Sequence, residues 1–365
     1  IMNSLNKNTP TCALTDIMKH PLALLLLLLA LTAGAQSLAD ELRREIGSDN
    51  IGVAVITSWG DTVEVNGESH YPLMSVFKFH QAVALARKLG YPGILSTEVE
   101  VSPDDLREDT WSPMRRHNPY GGHADISALL HYSLQWSDNN ACDILFDRFA
   151  SPAEVDSIIR AFTPARDFAI ACNEAQMHAD TSLCRRNWST PLACAELVQH
   201  VFTADTTVAT SVVKAVMAQQ SPMGRTRLAA AIPQANGMIF HKTGTGDMRG
   251  DTVSALNDAG HIVYPLPEGG YGRYSIAVFV ADYAGTPAEA EERIEEISRI
   301  VWNAHIMREH KQLAASSSAP GAAKPLPKHS EKLDAATIVG IIALPFAEAF
   351  AERISESVSR YHSPR

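Results

Sequence analysis

The chain has 365 residues, 45% of them hydrophobic and 20% charged, enough apolar material for one large or two modest cores. Its net charge of -10 argues against a nucleic-acid partner and fits a freely soluble enzyme. The fourteen histidines form no His-x-His or His-Glu-x-x-His cluster and the five cysteines no Cys-x-x-Cys pair, so neither a catalytic metal nor a cofactor is expected.

Met18-Lys19-His20, the apolar run from Leu22 to Leu31 and Ala33-Gly34-Ala35 reproduce the basic, apolar and small-residue regions of a secretory signal. The run is too short to span a bilayer as an ordinary helix. Residues 1–35 are read as leader and signal peptide, with residues 1–17 set aside from the fold. Cleavage after Ala35 would leave Gln36 first, and no cysteine follows the small residues to carry a lipid. Cys142, Cys172, Cys184 and Cys194 would remain in an exported chain, where they could pair or stay as buried thiols.

A short amphipathic helix is predicted from Ser37 to Ile46, and Ile51–Thr57 with Asp61–Asn66 reads as a hairpin around Ser58-Trp59-Gly60. Tyr71-Pro72 marks a turn, after which the chain runs apolar at helical spacing to Leu85. Ser75 thus falls at or near a helix N-terminus, with Lys78 one turn later on the same face. Unpaired N–H groups at such an end favour negative charge. A hydroxyl there has an amine to manage its proton and backbone donors for an oxyanion. A lone S-x-x-K recurs by chance, however, and taken alone it reads as a plain helix cap beside a solvated lysine.

Strand signal is weak from Ser96 to Gln219, where helices are predicted at Ile126–Tyr132, Asn139–Phe149, Pro152–Phe162 and Pro191–Phe202. Trp136-Ser137-Asp138-Asn139-Asn140 puts a second serine and a carboxamide on a loop, or merely caps the next helix. The segment from Cys172 to Asp180 lacks periodicity, and a long irregular stretch in a compact domain is usually functional or disordered. Glu174 within it is a candidate general base or a plain surface charge.

Strands return after Pro233, at Met238–His241, Thr252–Leu256, His261–Tyr264 and Tyr274–Val280, with Asn257-Asp258 and Glu268-Gly269-Gly270 as turns. His241-Lys242-Thr243-Gly244-Thr245-Gly246 closes the first of them. A cation followed by hydroxyls and glycine can hold a carboxylate and turn N–H groups toward a ligand, whereas an edge lysine would only discourage strand pairing. A helix from Pro287 carries Ile294, Ile297 and Val301 on one face. The expected fold is α+β: an antiparallel sheet assembled from both ends of the domain, flanked by terminal helices, with an inserted all-helical lobe and a cleft between them. The α/β lobe takes about 36–70 and 224–310, and the helical lobe about 71–223. Residues 311–333 read as a flexible linker, and 334–365 as an extension of unknown role with a short apolar piece, Ile338–Leu344.

Ser75-Val76-Phe77-Lys78, Ser137-Asp138-Asn139 and Lys242-Thr243-Gly244, in order and with Glu174-Ala175-Gln176-Met177-His178-Ala179-Asp180 between the second and third, resemble the class A serine β-lactamases. The wording around them is similar to the extended-spectrum PER-type branch, and the resemblance covers about Leu38 to Ala304. It implies the two-lobed β-lactamase/transpeptidase-like fold and periplasmic hydrolysis of small-molecule β-lactams, penicillins and cephalosporins, by a monomer needing no protein partner. It also implies Ser75 as nucleophile, with Lys78 taking its proton directly or helping Glu174 take it through water, and Ser137 as proton donor to the leaving nitrogen. Glu174 would activate the deacylating water, Asn139 would bind the substrate's side-chain amide, and Lys242 and Thr243, beside Gly244, its carboxylate. The backbone N–H groups of Ser75 and Thr245 would form the oxyanion hole.

Where the family's common pattern has an asparagine four residues after the glutamate, this chain has His178, which could hold the water or merely pack. Met74 and Gly246 stand where many class A carbapenemases carry a cysteine pair. Arg227 and Arg249 are candidates for the arginine that assists carboxylate binding, and both read as surface charges; Trp111 reads as cleft mouth or core. A penicillin-binding transpeptidase or a non-hydrolysing β-lactam sensor remains the rival reading, and neither needs Glu174. Removal of everything after His310 is expected to leave hydrolysis unchanged.

Overall fold

In the computed structural model, the described residues are 37–57, 60–218, 224–266, 269–317 and 347–362. The leader, the Ser58-Trp59 hairpin tip and the Ile338–Leu344 piece lie outside them. Residues 37–46 form helix α1, followed by β1 (Ile51–Thr57), β2 (Thr62–Val65), β3 (Tyr71–Pro72), a 3-10 turn at Met74–Val76 and α2 (Phe77–Ser96). Next come β4 (Glu98–Val101), α3 (Pro113–His117), β5 (Gly122–Asp125), α4 (Ile126–Gln135), α5 (Asn139–Arg148) and α6 (Pro152–Phe162). Then β6 (Phe168–Ala169), α7 (Glu174–Ala179), β7 (Trp188–Ser189), α8 (Pro191–Gln199), α9 (Val208–Ala218) and α10 (Leu228–Ala231) lead back to the sheet. The chain closes with β8 (Met238–Thr245), β9 (Met248–Arg249), β10 (Thr252–Pro265), β11 (Tyr271–Ala284), α11 (Pro287–Ser317) and α12 (Ala347–His362).

The large sheet runs β2-β1-β11-β10-β8, with β9 on β10, and every pairing is antiparallel. Because successive side chains alternate between faces, Val53, Val55, Ile276 and Val278 point to one side. There they pack with Leu38, Leu42 and Ile46 of α1 and Ile294, Ile297 and Val301 of α11. Ala54, Ala277 and Phe279 turn the other way, into the core shared with the helical lobe. The axis of that lobe is α2, whose Phe77, Phe79 and Val83 are fully enclosed and which contacts α4, α6 and α9. This is the expected α+β two-lobed architecture.

Three local expectations are corrected. Asn257-Asp258 is no turn: β10 runs unbroken through it, and both side chains are completely buried. Asn257 Nδ2 donates to the carbonyls of Pro72 (2.6 Å) and Leu73 (3.2 Å), while Asp258 accepts from Leu228 N (3.2 Å) and meets His241 Nδ1 (2.9 Å). Buried polar groups so paired sit in a central strand without penalty. Likewise the Lys242-Thr243-Gly244-Thr245 stretch does not follow the strand but belongs to it, each residue in register with β10 from Ala259 to Leu256. The helix from Pro287 continues past His310 to Ser317, so residues 311–317 are helical where a flexible linker is expected.

Candidate active site

Ser75 occupies the 3-10 turn that feeds α2, directly after Met74, whose φ of 46° is unusual for a residue with a side chain. Surrounding structure fixes that geometry. Asn257 clamps the carbonyls of Pro72 and Leu73, and Leu73 N donates to Asn187 O (2.8 Å). Strand β8 lies so close that a Cβ on Gly244 would come within 2.6 Å of Leu73 O. Glycine at the third position of Lys242-Thr243-Gly244 is therefore what lets the strand approach the turn that carries Ser75.

Lys78, one turn into α2, is completely buried, and its ammonium is the hub of the site. Nζ donates to Ser75 Oγ (3.1 Å), Ser137 O (2.8 Å) and Asn139 Oδ1 (2.6 Å), and lies 2.8 Å from Glu174 Oε1. Burial of a cation is tolerable only with such partners. The Ser137-Asp138-Asn139 loop is equally constrained. Ser137 has φ 55°, and Asp138 caps α5 through Ala141 N (2.9 Å) while accepting from Met114 N (2.6 Å) and Ser112 Oγ (2.9 Å). Asn139 is held by Thr110 Oγ1 (2.8 Å) through its side chain and by Trp111 O (3.0 Å) through its backbone.

From the opposite lobe, Lys242 Nζ donates to Ser137 Oγ (2.9 Å) and to Thr243 O (2.9 Å). It is nearly inaccessible, so the reading of an edge lysine in solvent fails. Burial first, and then the cations Lys78 and Arg227, depress its pKa well below the ordinary lysine value. Arg227 is the second correction to a surface reading. Only 6% exposed, it donates to Gly244 O (2.9 Å), Asn257 O (2.9 Å) and Thr245 Oγ1 (2.7 Å), and it pairs with Glu291 (3.1 Å). Nothing in a single sequence separates it from Arg249, which is exposed. Arg227 and Thr243 border a cavity of about 340 Å³ beside β8.

Glu174 opens α7, capped by Asn173, so the stretch without periodicity does contain a short helix. Its backbone N–H donates to Asp143 Oδ1 (2.8 Å). Burial and then the Glu174 carboxylate push the Asp143 carboxyl up to about 7. His178, by contrast, sits half-exposed with Nε2 3.0 Å from the Asp109 carboxylate. Trp111 is exposed rather than packed in the core, with the Arg116 guanidinium 4.2 Å over its ring. Cys142, Cys172, Cys184 and Cys194 are all free thiols. Sequence reasoning missed Thr110, Asp143 and Asn257, polar residues whose roles exist only through partners distant in the chain. Among the described residues no group of three or more His, Cys, Asp or Glu is placed to hold a metal.

The geometry thus gathers a serine, two lysines, a second serine, a carboxamide and a carboxylate at the junction of the lobes. Residues 36–305 match the model of the β-lactamase enzyme family, and the chain belongs to it. A β-lactamase of Phocaeicola vulgatus is 37% identical over 261 residues, spanning 69% of this chain and 79% of that protein. The extended-spectrum β-lactamase PER-1 of Pseudomonas aeruginosa is 30% identical over 276 residues, spanning 73% and 85%. A solved class A β-lactamase from Bacteroides cellulosilyticus superposes with a TM-score of 0.68 at 30% identity, over 74% of this chain and 98% of that one. The class A resemblance carried by the motifs therefore stands, and with it the two-lobed fold and the assignment to the β-lactam hydrolases.

Proposed function

We propose that the chain hydrolyses penicillins and cephalosporins through an ester on Ser75. The observation that carries this is the hub at Lys78, one ammonium within hydrogen-bond distance of Ser75 Oγ and, as an ion pair, of Glu174. Ser75 Oγ attacks the lactam carbonyl carbon, and its proton passes through water to Glu174, or to Lys78 once that ammonium has handed a proton to Glu174 beside it. The tetrahedral oxyanion is met by the N–H groups of Ser75 and Thr245. As the C–N bond breaks, the nitrogen takes a proton from Ser137, which Lys242 holds in place, and Ser137 recovers the proton lost by Ser75 by way of Lys78, which leaves Glu174 ionised for the next step. Lys242 and Thr243, with the Arg227 guanidinium behind Thr245, attract the substrate carboxylate. Asn139 presents its remaining amide capacity to the substrate side chain. Water, deprotonated by Glu174, then attacks the ester carbonyl and returns the serine. His178 is bound to Asp109 and takes no part. Cephalosporin turnover rests on the PER-type wording and on similarity to PER-1. Export to the periplasm rests on residues 18–35.

The test is a time course of intact mass for the chain from Gln36, mixed with a penicillin and with a cephalosporin, beside Glu174→Gln. Clearance of both drugs with only a fleeting adduct, and accumulation of adduct on the variant, is expected. A lasting adduct on the native protein would mean a sensor or transpeptidase instead.

A further inference from the structure

Helix α12 lies beyond the 36–305 span that matches the family, yet it is seated in the helical lobe. Its Ile354, Ser357 and Tyr361, spaced i, i+3, i+7, are each about 1% exposed, and Val358 packs beside them. Such a stripe is the buried face of an amphipathic helix. The receiving surface is β5, α4 and α9, and polar contacts fix the register. Asn118 Nδ2 donates to Tyr361 O (2.9 Å), Arg353 to Leu95 O (3.1 Å) and Arg360 to Asp125 Oδ2 (3.4 Å).

The end of this helix reaches the back of the catalytic loop. His362 Nε2 shares a hydrogen bond with Tyr132 Oη, which also meets His117 Nδ1 (3.1 Å). The His117 ring stands 4.8 Å from that of His362 and 5.5 Å from that of Trp136. Tyr132 O in turn accepts the backbone N–H of Trp136 (3.2 Å) and of Asp138 (3.1 Å), on either side of Ser137. His117 closes α3, the helix whose Met114 N and capping Ser112 hold the Asp138 carboxylate.

We propose that α12 is an intramolecular brace for the Ser137-Asp138-Asn139 loop, seated on β5, α4 and α9 and meeting His117 at the end of α3, so that Ser137 and Asn139 stay aligned with Lys78 and Lys242. Tyr361 and His362 are positioning residues and touch no substrate. The inference rests on the acyl-enzyme reading above. It departs from the expectation that everything after His310 is dispensable. Because α12 bonds the Ser137 side of the cleft while Glu174 sits on α7, its loss should slow acylation and spare deacylation.

The experiment uses the full chain. Ile354→Asp with Tyr361→Asp puts two charges into the buried face and should release the helix. Single-turnover acylation by a chromogenic cephalosporin is expected to fall about tenfold or more, with the deacylation rate constant unchanged and the amides of 136–141 exchanging faster. His362→Ala, which leaves the apolar face seated, should slow acylation a few-fold. The His362→Ala result decides if the double variant is insoluble. Native acylation with native exchange at 136–141 overturns the brace. So does a smaller burst amplitude with both rate constants intact, since that describes lost folded protein only. A native chain that fails to hydrolyse any β-lactam sinks the acyl-enzyme reading. Hydrogen exchange in the released variant then still decides whether α12 holds the loop.

Discussion

Lys242 Nζ donates to Ser137 Oγ at 2.9 Å, joining a strand of the sheet to a loop of the helical lobe across the cleft. Ser137 sits at φ 55° with its carbonyl on Lys78, so its hydroxyl is aimed by two lysines from two lobes. In the mechanism proposed here that hydroxyl relays a proton to the departing nitrogen. Ser137→Ala should therefore lower the acylation rate by about 10²-fold, the lower end of what positioned proton transfer contributes, and alter deacylation little. Stopped-flow acylation against the decay of preformed acyl-enzyme separates the two steps. Equal losses in both would remove Ser137 from the proton path.

Lys242 has a second consequence, for pH. Burial and two neighbouring cations hold its pKa well below the ordinary lysine value, so it loses its proton at lower pH than an exposed lysine would. Attraction for a substrate carboxylate is lost with that proton. The alkaline limb of kcat/KM should accordingly fall below the pH at which a free lysine titrates. Lys242→Arg, with a side chain that stays charged, should move that limb upward even where the absolute rate drops. An unmoved limb would assign it to another group.

The pattern of hydrophobic and polar residues carried most of the fold, and for physical reasons it missed particular places. Helices such as Pro152–Phe162 were legible because their caps and apolar spacing are local. Asn257-Asp258 was read as a turn because those residues usually satisfy themselves through nearby backbone, whereas here they bond Pro72, Leu73, Leu228 and His241. The site itself was largely legible: Ser75, Lys78, Ser137, Asn139, Glu174 and Lys242 meet within hydrogen-bond distances. Asp143 was not, and Arg227 only as one of two candidates, since their placement depends on burial that a composition cannot show. The seat of α12 depends on Asn118 and Tyr132, more than two hundred residues away in the chain.

Gly244→Ala tests the closeness of the strand and the Ser75 turn. The added methyl would meet a backbone carbonyl at 2.6 Å and the Met74 Cβ at 3.1 Å, neither of which is a flexible side-chain end. Overpacking of this kind costs roughly 1–3 kcal/mol. Any relief must shift Leu73 and Met74, and hence Ser75. The expected result is a lower denaturant midpoint together with a larger proportional loss of acylation. A variant that loses stability but acylates at the native rate would show that the turn can yield without moving the serine.

Asp143 offers the clearest stability test, because its carboxyl, raised to about 7 chiefly by burial, titrates far from its ordinary value. The sign follows from proton counting. Between about pH 4 and 7 the folded chain keeps a proton that the unfolded chain has released, so stability falls as pH rises through that window and the penalty is complete above pH 7. Asp143→Asn keeps an oxygen to accept the Glu174 N–H but cannot ionise. It should match the native protein near pH 4 and exceed it at pH 8 by about 2–4 kcal/mol, the scale of a shift of some three pKa units. Urea unfolding at the two pH values measures the difference. A gain of equal size at both would mean that packing, and not the charge beside Glu174, sets the effect.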